Sequence, residues 1–256
     1  MDSKYREGQF VWRELMTSDI QKARGFYGEL LGWSFVDMPM PTGTYTIVKK
    51  GEEQVCGMMQ TPPGDPMPTA WLTYISVASV DDCLKAAAAN GGAVTMPAMD
   101  IPGVGRFAMM ADATGGVVGI LHGETGDSPA PARPGVGTFC WESLMTTDLE
   151  KAKAFYGEVI GWTSAPGPGG STVMKAGAAM VADFGPAPHG MPSAWMLHVV
   201  IEKLETARAR AEQLGAKVMV PEIKVPQVGR MAFVSDPTGA VISLFEPDMS
   251  GAAPAA

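Results

Sequence analysis

The sequence predicts an α+β protein with two homologous domains in tandem, and three observations support this prediction. A 22-residue segment that begins at Trp12 recurs without gaps from Trp141, an offset of 129, with 13 identical positions. The segments that begin at Ala70 and Ala194 also repeat one another, at an offset of 124. The stretch between the two copies is rich in Pro and Gly, as is typical of a linker. The predicted boundaries are a first domain at 1–123, a linker at 124–136, a second domain at 137–249 and a loose tail at 250–256.

A helix is predicted near the start of each copy from its cap, its apolar spacing and its glycine stop. In the first copy, Ser18 or Asp19 can accept the free backbone N–H groups of a first helical turn. Gly32 ends the segment, where a left-handed residue without a Cβ is favoured. Apolar residues recur between these ends at helical spacing, at Ile20, Ala23, Phe26, Tyr27 and Leu30.

The remainder of each copy predicts a second strand-helix-strand pattern. In the first copy, AWLTYISV has the composition of a strand, and DDCLKAAAANGG has that of a helix with its own glycine stop. The turns DATGG and DPTGA each join two apolar strands. The pattern of a strand, a helix and several strands therefore occurs twice in each copy.

Composition excludes several classes of function. The chain is 46% apolar and 18% charged, which is typical of an ordinary globular protein. A net charge of −8 without a basic run argues against nucleic-acid binding, since phosphate contacts require clustered Lys and Arg. No apolar run approaches the roughly 20 residues of a membrane span. The first residues lack the apolar core of a signal peptide. We therefore expect a cytoplasmic protein, although leaderless export would leave no mark in the sequence.

The helix residues resemble the signature of the vicinal oxygen chelate superfamily, which includes glyoxalase I, bleomycin-resistance proteins and extradiol dioxygenases. The first copy carries this resemblance at Asp19, Ala23, Phe26-Tyr27 and Leu31-Gly32-Trp33. The second copy carries it at Asp148, Ala152, Phe155-Tyr156 and Ile160-Gly161-Trp162. The turns that begin at Asp112 and Asp236 resemble the D-P-x-G turn of the same superfamily. The tandem form is also similar to actinobacterial proteins labelled hydroxylase or 27 kDa antigen.

This resemblance implies a fold and a partner arrangement. Each domain would pair two βαβββ modules into a curved, mixed or antiparallel sheet around a pocket. The tandem chain would pair its own two domains as a pseudo-dimer. The expected partner is a small-molecule ligand, with neither nucleic acid nor membrane.

The resemblance also allows a test for a metal site. Metal-binding members place ligands on the first strand of each module and a glutamate on the last strand, and such N and O ligand sets suit Fe(II), Mn, Ni or Zn. The corresponding positions are Trp12, Leu72 and Gly119 in the first copy and Trp141, Met196 and Ser243 in the second. None of these residues supplies a nitrogen or carboxylate ligand. A divalent metal is thus disfavoured, and we predict no metal ligands and no other cofactor.

Residues displaced by two positions share a strand face with the missing ligands and are the nearest substitutes. Glu14 is a candidate catalytic residue, because a buried carboxylate with a raised pKa can abstract a proton. The alternative is that Glu14 braces its strand. His198 is the second catalytic candidate, since an imidazole titrates near neutral pH, and its alternative is a satisfied core histidine.

The candidate ligand-binding residues are Trp12, Tyr74, Trp141, Met196 and Ser143. The two tryptophans would form aromatic walls, although core packing explains them equally well. Arg106 and Arg230 could clamp an anion or lie on the surface. The three cysteines form no C-x-x-C motif, and we expect reduced thiols.

Two functions remain open at this point. The first is a glyoxalase-, lyase- or dioxygenase/hydroxylase-like enzyme that acts on a small, aromatic or apolar molecule without the usual metal triad. The second is a metal-free protein that binds or sequesters such a molecule, as bleomycin-resistance proteins do.

Overall fold

The computed structural model describes residues 4–40, 43–64, 67–127 and 134–249. Within these ranges the chain forms four successive βαβββ modules, two in each sequence repeat. The first module comprises β1 (Phe10–Thr17), α1 (Ile20–Leu31), β2 (Ser34–Met40), β3 (Gly43–Lys50) and β4 (Glu53–Gln60). The second comprises β5 (Ala70–Ser76), α2 (Val80–Ala89), β6 (Ala93–Ile101), β7 (Gly105–Ala111) and β8 (Val117–Gly123).

The second repeat has the same order of elements. Its first module comprises β9 (Phe139–Thr146), α3 (Leu149–Ile160), β10 (Thr163–Pro166), β11 (Thr172–Ala176) and β12 (Ala179–Pro186). A short 3-10 helix at Pro168–Gly170 lies between β10 and β11. Its second module comprises β13 (Ala194–Val200), α4 (Leu204–Gln213), β14 (Lys217–Val225), β15 (Gly229–Ser235) and β16 (Val241–Pro247).

Each repeat contributes one eight-stranded mixed sheet. The strand order is β2-β3-β4-β1-β5-β8-β7-β6 in the first sheet and β10-β11-β12-β9-β13-β16-β15-β14 in the second. In every module the first and last strands pair in parallel, and the remaining pairs within a module are antiparallel. The predicted α+β fold with two tandem domains is confirmed.

The predicted helix ends are also observed. Of the two candidate caps, Asp19 is the one used, and its carboxylate accepts a hydrogen bond from the Lys22 backbone N at 3.0 Å. Asp148 caps α3 in the same way through the Lys151 backbone N. Gly32 has the left-handed conformation (φ 67°) that ends α1, and this is why a residue without a Cβ stands there.

The chain forms two compact units, and each of them combines one module from each repeat. Unit one contains residues 4–13, 72–127 and 142–196, and unit two contains residues 14–71, 134–141 and 197–249. Each unit has its own apolar core. The predicted domain boundaries stay a prediction. Residues 128–133 of the predicted linker and the tail at 250–256 lie outside the described ranges.

Signature residues join the two modules inside unit two. The buried Tyr27 hydroxyl donates to Asp236 Oδ2 at 2.8 Å and accepts from Trp71 Nε1 at 2.9 Å. Burial, followed by the nearby Asp236 carboxylate, raises the pKa of Tyr27 well above its ordinary value, so this hydroxyl stays a donor. Trp33 Nε1 donates to the Gly137 carbonyl at 2.7 Å. The family signature is therefore a structural brace between modules of different repeats.

Unit one contains the same brace built from the equivalent residues. The Tyr156 hydroxyl donates to Asp112 Oδ2 and accepts from Trp195 Nε1, both at 3.1 Å. Trp162 Nε1 donates to the Gly8 carbonyl at 2.7 Å. Within the described chain, every helix is too short or too polar to cross a membrane. The cytoplasmic location stays a prediction.

Candidate functional site

Five of the seven candidate site residues adjoin a core residue on their strand, so they are assigned to the face turned away from the helices: Glu14, Tyr74, Ser143, Met196 and His198. Leu15, Leu144, Leu197 and Ile75 belong to the cores that contain the helix residues. Side chains alternate along a strand, so the neighbouring candidates point to the other face. We call this surface of each module the helix-free face. Unit one contains Trp12, Tyr74, Ser143 and Met196, and unit two contains Glu14, Trp141 and His198.

In unit one, Tyr74 fills the position where a glutamate ligand would be expected. Tyr74 and Gly119 are register partners on β5 and β8. A Cβ built on Gly119 would overlap the Tyr74 ring, so no larger side chain fits at this position without displacing the ring. The Tyr74 ring also meets Phe107 edge-on at 6.4 Å between centroids. This part of the helix-free face is consequently aromatic, and residue 119 cannot supply a metal ligand there.

A second group in unit one contains a carboxylate that the sequence does not single out. Ser143 on β9 and Asp183 on β12 are register partners, and the Ser143 hydroxyl donates to Asp183 Oδ1 at 2.5 Å. Ser143 is buried, whereas Asp183 is half-buried. The sequence does not point to Asp183, because alignment of the repeats places Ser143 opposite Glu14 and so indicates that the second repeat has no carboxylate here. Only the strand register reveals that a neighbouring strand supplies a carboxylate instead.

The equivalent position in unit two has the opposite arrangement. Glu14 on β1 is the register partner of Gly57 on β4. A Cβ on Gly57 would overlap the Tyr45 hydroxyl, so the phenol of Tyr45 lies across the glycine. Each repeat therefore places one carboxylate at this point of its first module, on β1 in one repeat and on β12 in the other.

The second group in unit two surrounds His198. His198 is only 4% exposed and is the register partner of Ser243 on β16, which is fully buried. The imidazole meets the rings of Phe233 and Phe245 edge-on, each at 6.5 Å between centroids. Cys140 Sγ lies 3.4 Å from the His198 carbonyl. Among the residues that the structure describes, no group makes a hydrogen bond to Ser243 Oγ.

Trp12 and Trp141 differ from the other tryptophans of the signature segments. Trp33, Trp71, Trp162 and Trp195 are buried members of the two cores. Trp12, Trp141 and Met196 are half-buried and belong to neither core cluster. This placement favours the aromatic-wall interpretation over core packing, and the role in ligand binding stays a prediction.

The two arginines proposed as anion clamps are already engaged by carboxylates. Arg106 donates to Asp81 at 2.9 Å and to Asp100 at 2.8 Å. Arg230 donates to Glu246 at 2.6 Å and to Glu205. Hydrogen bonds donated to these carboxylates raise the pKa of both guanidinium groups, and the surrounding negative charge disfavours an added anion. The surface interpretation is therefore the better one.

Unit one also contains an ion pair that the sequence does not reveal. Arg13 Nε donates to Glu142 Oε1 at 2.6 Å, and the Glu142 side chain is only 4% exposed. The two residues occupy equivalent positions of the repeat, at the offset of 129. Burial raises the pKa of Glu142, and the positive charges of Arg13 and Arg6 partly oppose this effect.

In unit one, the position where metal-binding members would have a glutamate offers no ligand atom, and the absence of a metal stays a prediction. A divalent ion requires nitrogen, oxygen or sulfur ligands, and the Tyr74 ring occupies the space of the expected glutamate. Over the described ranges, no three His, Cys, Asp or Glu side chains cluster as a metal-binding group. Within the described residues none of the three cysteines forms a disulfide, and burial raises the pKa of Cys83 to about 12, so this thiol is protonated near neutral pH.

Comparison with known proteins identifies related chains. Residues 9–120 match the model of the glyoxalase/bleomycin resistance protein/dioxygenase superfamily, and residues 140–245 match a glyoxalase-like domain. The chain is 35% identical to "Putative glyoxylase CFP32" of Mycobacterium tuberculosis, over 96% of this chain and 97% of the relative. It is 28% identical to the anthracycline biosynthesis protein DauV of Streptomyces sp. strain C5, over 95% of both chains. In structure it is similar to the 2,3-dioxygenase LapB of Pseudomonas sp. KL28, with a TM-score of 0.63, 14% identity and coverage of 95% and 93%.

Proposed function

Because the chain belongs to the glyoxalase/bleomycin resistance protein/dioxygenase superfamily, we propose that it acts on a small aromatic molecule at its helix-free faces without the metal triad of that superfamily. The observation that carries this proposal is the pair Tyr74 and Gly119. An aromatic ring lies where metal-binding members would have a glutamate, so the position carries an apolar ring instead of a ligand atom.

The surroundings of the other candidates support an aromatic ligand. Trp12 and Trp141 keep part of their rings outside the cores, and Phe233 and Phe245 are half-buried beside His198. Flat rings of this kind bind other aromatic rings by edge-on and offset contacts. The relative DauV is named an anthracycline biosynthesis protein, and an anthracycline is a polycyclic aromatic compound.

Glu14 and His198 remain the proposed catalytic residues, with Trp12, Tyr74, Trp141, Met196 and Ser143 as proposed ligand contacts. Glu14 is half-buried and is the register partner of Gly57, over which the Tyr45 phenol lies. This setting suits a carboxylate that holds or accepts a proton. His198 lies among aromatic rings, which suits an imidazole that orients a polar group of the ligand.

The first test measures metal content and ligand binding together. The purified protein is first analysed for transition metals; it is then dialysed against a chelator, and its melting temperature is recorded against a library of mono- and polycyclic aromatic compounds. We expect stabilisation that rises with ligand concentration, about 2.7 kcal/mol at 100 times the dissociation constant, and no change on addition of Mn²⁺, Fe²⁺ or Zn²⁺. A stoichiometric bound metal would contradict the proposal. A library in which no compound raises the melting temperature would contradict it too.

The second test asks whether a bound compound is converted. Compounds that stabilise the protein are incubated with it and followed by liquid chromatography and mass spectrometry. We expect Glu14→Gln and His198→Gln to lower turnover while ligand stabilisation persists. Tyr5→Phe, which alters a ring that stacks on His122 away from these residues, is the control. If both variants convert the compound at the rate of the unmodified protein, the assignment of these residues fails.

A further inference from the structure

We infer that Ser243 anchors the polar group of the ligand, so that the molecule bound in unit two is an aromatic ring with a hydroxyl or carbonyl oxygen. This inference rests on the proposed function, because it specifies the chemistry of the aromatic molecule. It assigns a binding role to a residue at the position where metal-binding members have a glutamate.

The burial of the Ser243 hydroxyl supports this role. Ser243 is fully buried, and within the described part of the chain nothing forms a hydrogen bond with its Oγ. A buried hydroxyl without a partner destabilises a fold, because it has lost its bonds to water. Such groups are few in native proteins, and each calls for an explanation such as strain, a catalytic role or a bound water, ion or ligand. A ligand oxygen would satisfy this hydroxyl as donor or as acceptor.

The direction of the Ser243 side chain also supports this role. Ile242 and Leu244 point into the core of unit two, so Ser243 between them points to the helix-free face. Its register partners there are His198 on β13 and Phe233 on β15. The hydroxyl thus lies on the same face as the His198 imidazole, and the rings of Phe233 and Phe245 are half-buried beside that imidazole.

Unit one differs from unit two at the equivalent pair of residues. Tyr74 and Gly119 are the repeat equivalents of His198 and Ser243, at the offset of 124. Where the Tyr74 ring covers Gly119, the protein itself fills the position. The smaller imidazole of His198 accompanies a serine whose hydroxyl has no partner among the described residues. The two repeats have therefore diverged at this pair, and only unit two offers a hydrogen bond to a ligand here.

The test compares two probes that differ by one hydroxyl, 1-naphthol and naphthalene. Their dissociation constants are measured by ligand-observed NMR with the unmodified full chain and with two variants of it, Ser243→Ala and Ser76→Ala. Ser76 is the matched control, since it is also fully buried but its hydroxyl donates to Asp127 at 2.6 Å. We expect the full chain and Ser76→Ala to bind 1-naphthol about tenfold more tightly than naphthalene, the value of one hydrogen bond. We expect Ser243→Ala to bind both probes equally.

The outcomes separate this inference from the proposed function. Binding of naphthalene with no preference for 1-naphthol, or a preference that Ser243→Ala retains, overturns the role of Ser243 and leaves the aromatic ligand in place. Failure of both probes to bind overturns the inference together with the proposed function for this face.

Thermal unfolding without ligand gives an independent readout. Ser243→Ala removes a hydroxyl without a described partner, so its melting temperature should equal or exceed that of the full chain. Ser76→Ala breaks a hydrogen bond and should melt at a lower temperature. A loss in Ser243→Ala as large as that in Ser76→Ala would mean that the hydroxyl serves the fold, which contradicts the inference.

Discussion

Tyr27 and Tyr156 have a structural role that their place in the family signature does not reveal. Each hydroxyl lies between a tryptophan N–H and an aspartate oxygen, and it is fully buried. The aspartate has a second task, since Asp236 Oδ1 accepts hydrogen bonds from the backbone N–H groups of Thr238 and Ala240 in its own turn. One phenol thus connects a helix, a strand and a turn.

Replacement of Tyr27 by Phe should lower the free energy of unfolding by about 1–3 kcal/mol, because it leaves the Trp71 N–H and one Asp236 oxygen unpaired in the interior. Tyr156→Phe tests the same contact in unit one and should cost a similar amount. Urea denaturation followed by tryptophan fluorescence measures both values. If neither variant differs from the unmodified chain, the brace contributes nothing to stability.

Gly119 gives a second prediction at the scale of one residue. Gly119→Ala forces a Cβ into the Tyr74 ring and should destabilise the chain by about 1–3 kcal/mol through overpacking. Gly25 is the matched control, since it lies within α1 with no atom near the position of an added Cβ, and Gly25→Ala should stabilise by about 0.5–1 kcal/mol. Chemical denaturation of both variants checks the two signs, and a neutral Gly119→Ala would mean that the ring moves aside easily.

At the scale of elements, β1 and β9 carry opposite charges at equivalent positions. Arg13 and Glu142 form a bonded pair inside unit one, and both arginine nitrogens Nε and Nη2 approach the same carboxylate oxygen. Two identical strands would have placed like charges here. The divergence of the repeats therefore made the contact between their first strands attractive.

Reversal of one charge should break this contact. Arg13→Glu would bury two carboxylates together and should cost about 3–5 kcal/mol, as does the loss of one partner from a buried pair. The double variant Arg13→Glu with Glu142→Arg restores opposite charges and should regain at least half of that loss. Recovery will be incomplete because Arg6 acts on position 142 and would repel an arginine there. Denaturation curves of the three proteins decide the outcome, and equal losses in the single and double variants would refute a specific pair.

The pH dependence of stability provides a separate test of Glu142. Because burial raises the pKa of Glu142 in the folded chain, the folded state binds its proton more tightly than the unfolded state does. The contribution of this group to stability is therefore complete below the ordinary carboxyl pKa and is lost as pH rises through the raised value. Glu142→Gln should remove this decline from the curve of unfolding free energy against pH. A decline that survives in Glu142→Gln would belong to other groups.

The elements differ in how far the sequence predicts them. The ends of α1 and α3 depend on residues within a few positions, a capping aspartate and a left-handed glycine, and they were predicted correctly. The pairing of Ser143 with Asp183 and the ion pair of Arg13 with Glu142 connect residues 40 and 129 positions apart. Strand register and packing between repeats decide such contacts, and no local pattern encodes them. The residue types at the six expected ligand positions can be read from the sequence by counting. That the Ser243 hydroxyl has no hydrogen-bond partner among the described residues could be found only from the structure.

At the scale of the whole molecule, the repeat predicts two domains but not which modules share a core. Apolar periodicity shows that one side of a helix is buried, and it does not show which module covers that side. The structure places the first module of each repeat in a core with the second module of the other repeat. Trp33 reaches Gly137 and Tyr27 reaches Asp236, contacts that run from the first repeat to the second.

Because each core contains one module from each repeat, the structure predicts how the chain responds to a cut between its repeats. A protease site is inserted within residues 128–133, and the purified protein is cleaved there. Each core still needs a module from both fragments, so we expect the fragments to elute together in size-exclusion chromatography. Their unfolding midpoint in urea should rise with protein concentration, because unfolding now separates two chains. Uncleaved protein with the same insertion is the control, and its midpoint should not depend on concentration. Separation of the fragments in native buffer would show that each repeat forms its own core, in contradiction to the exchanged arrangement.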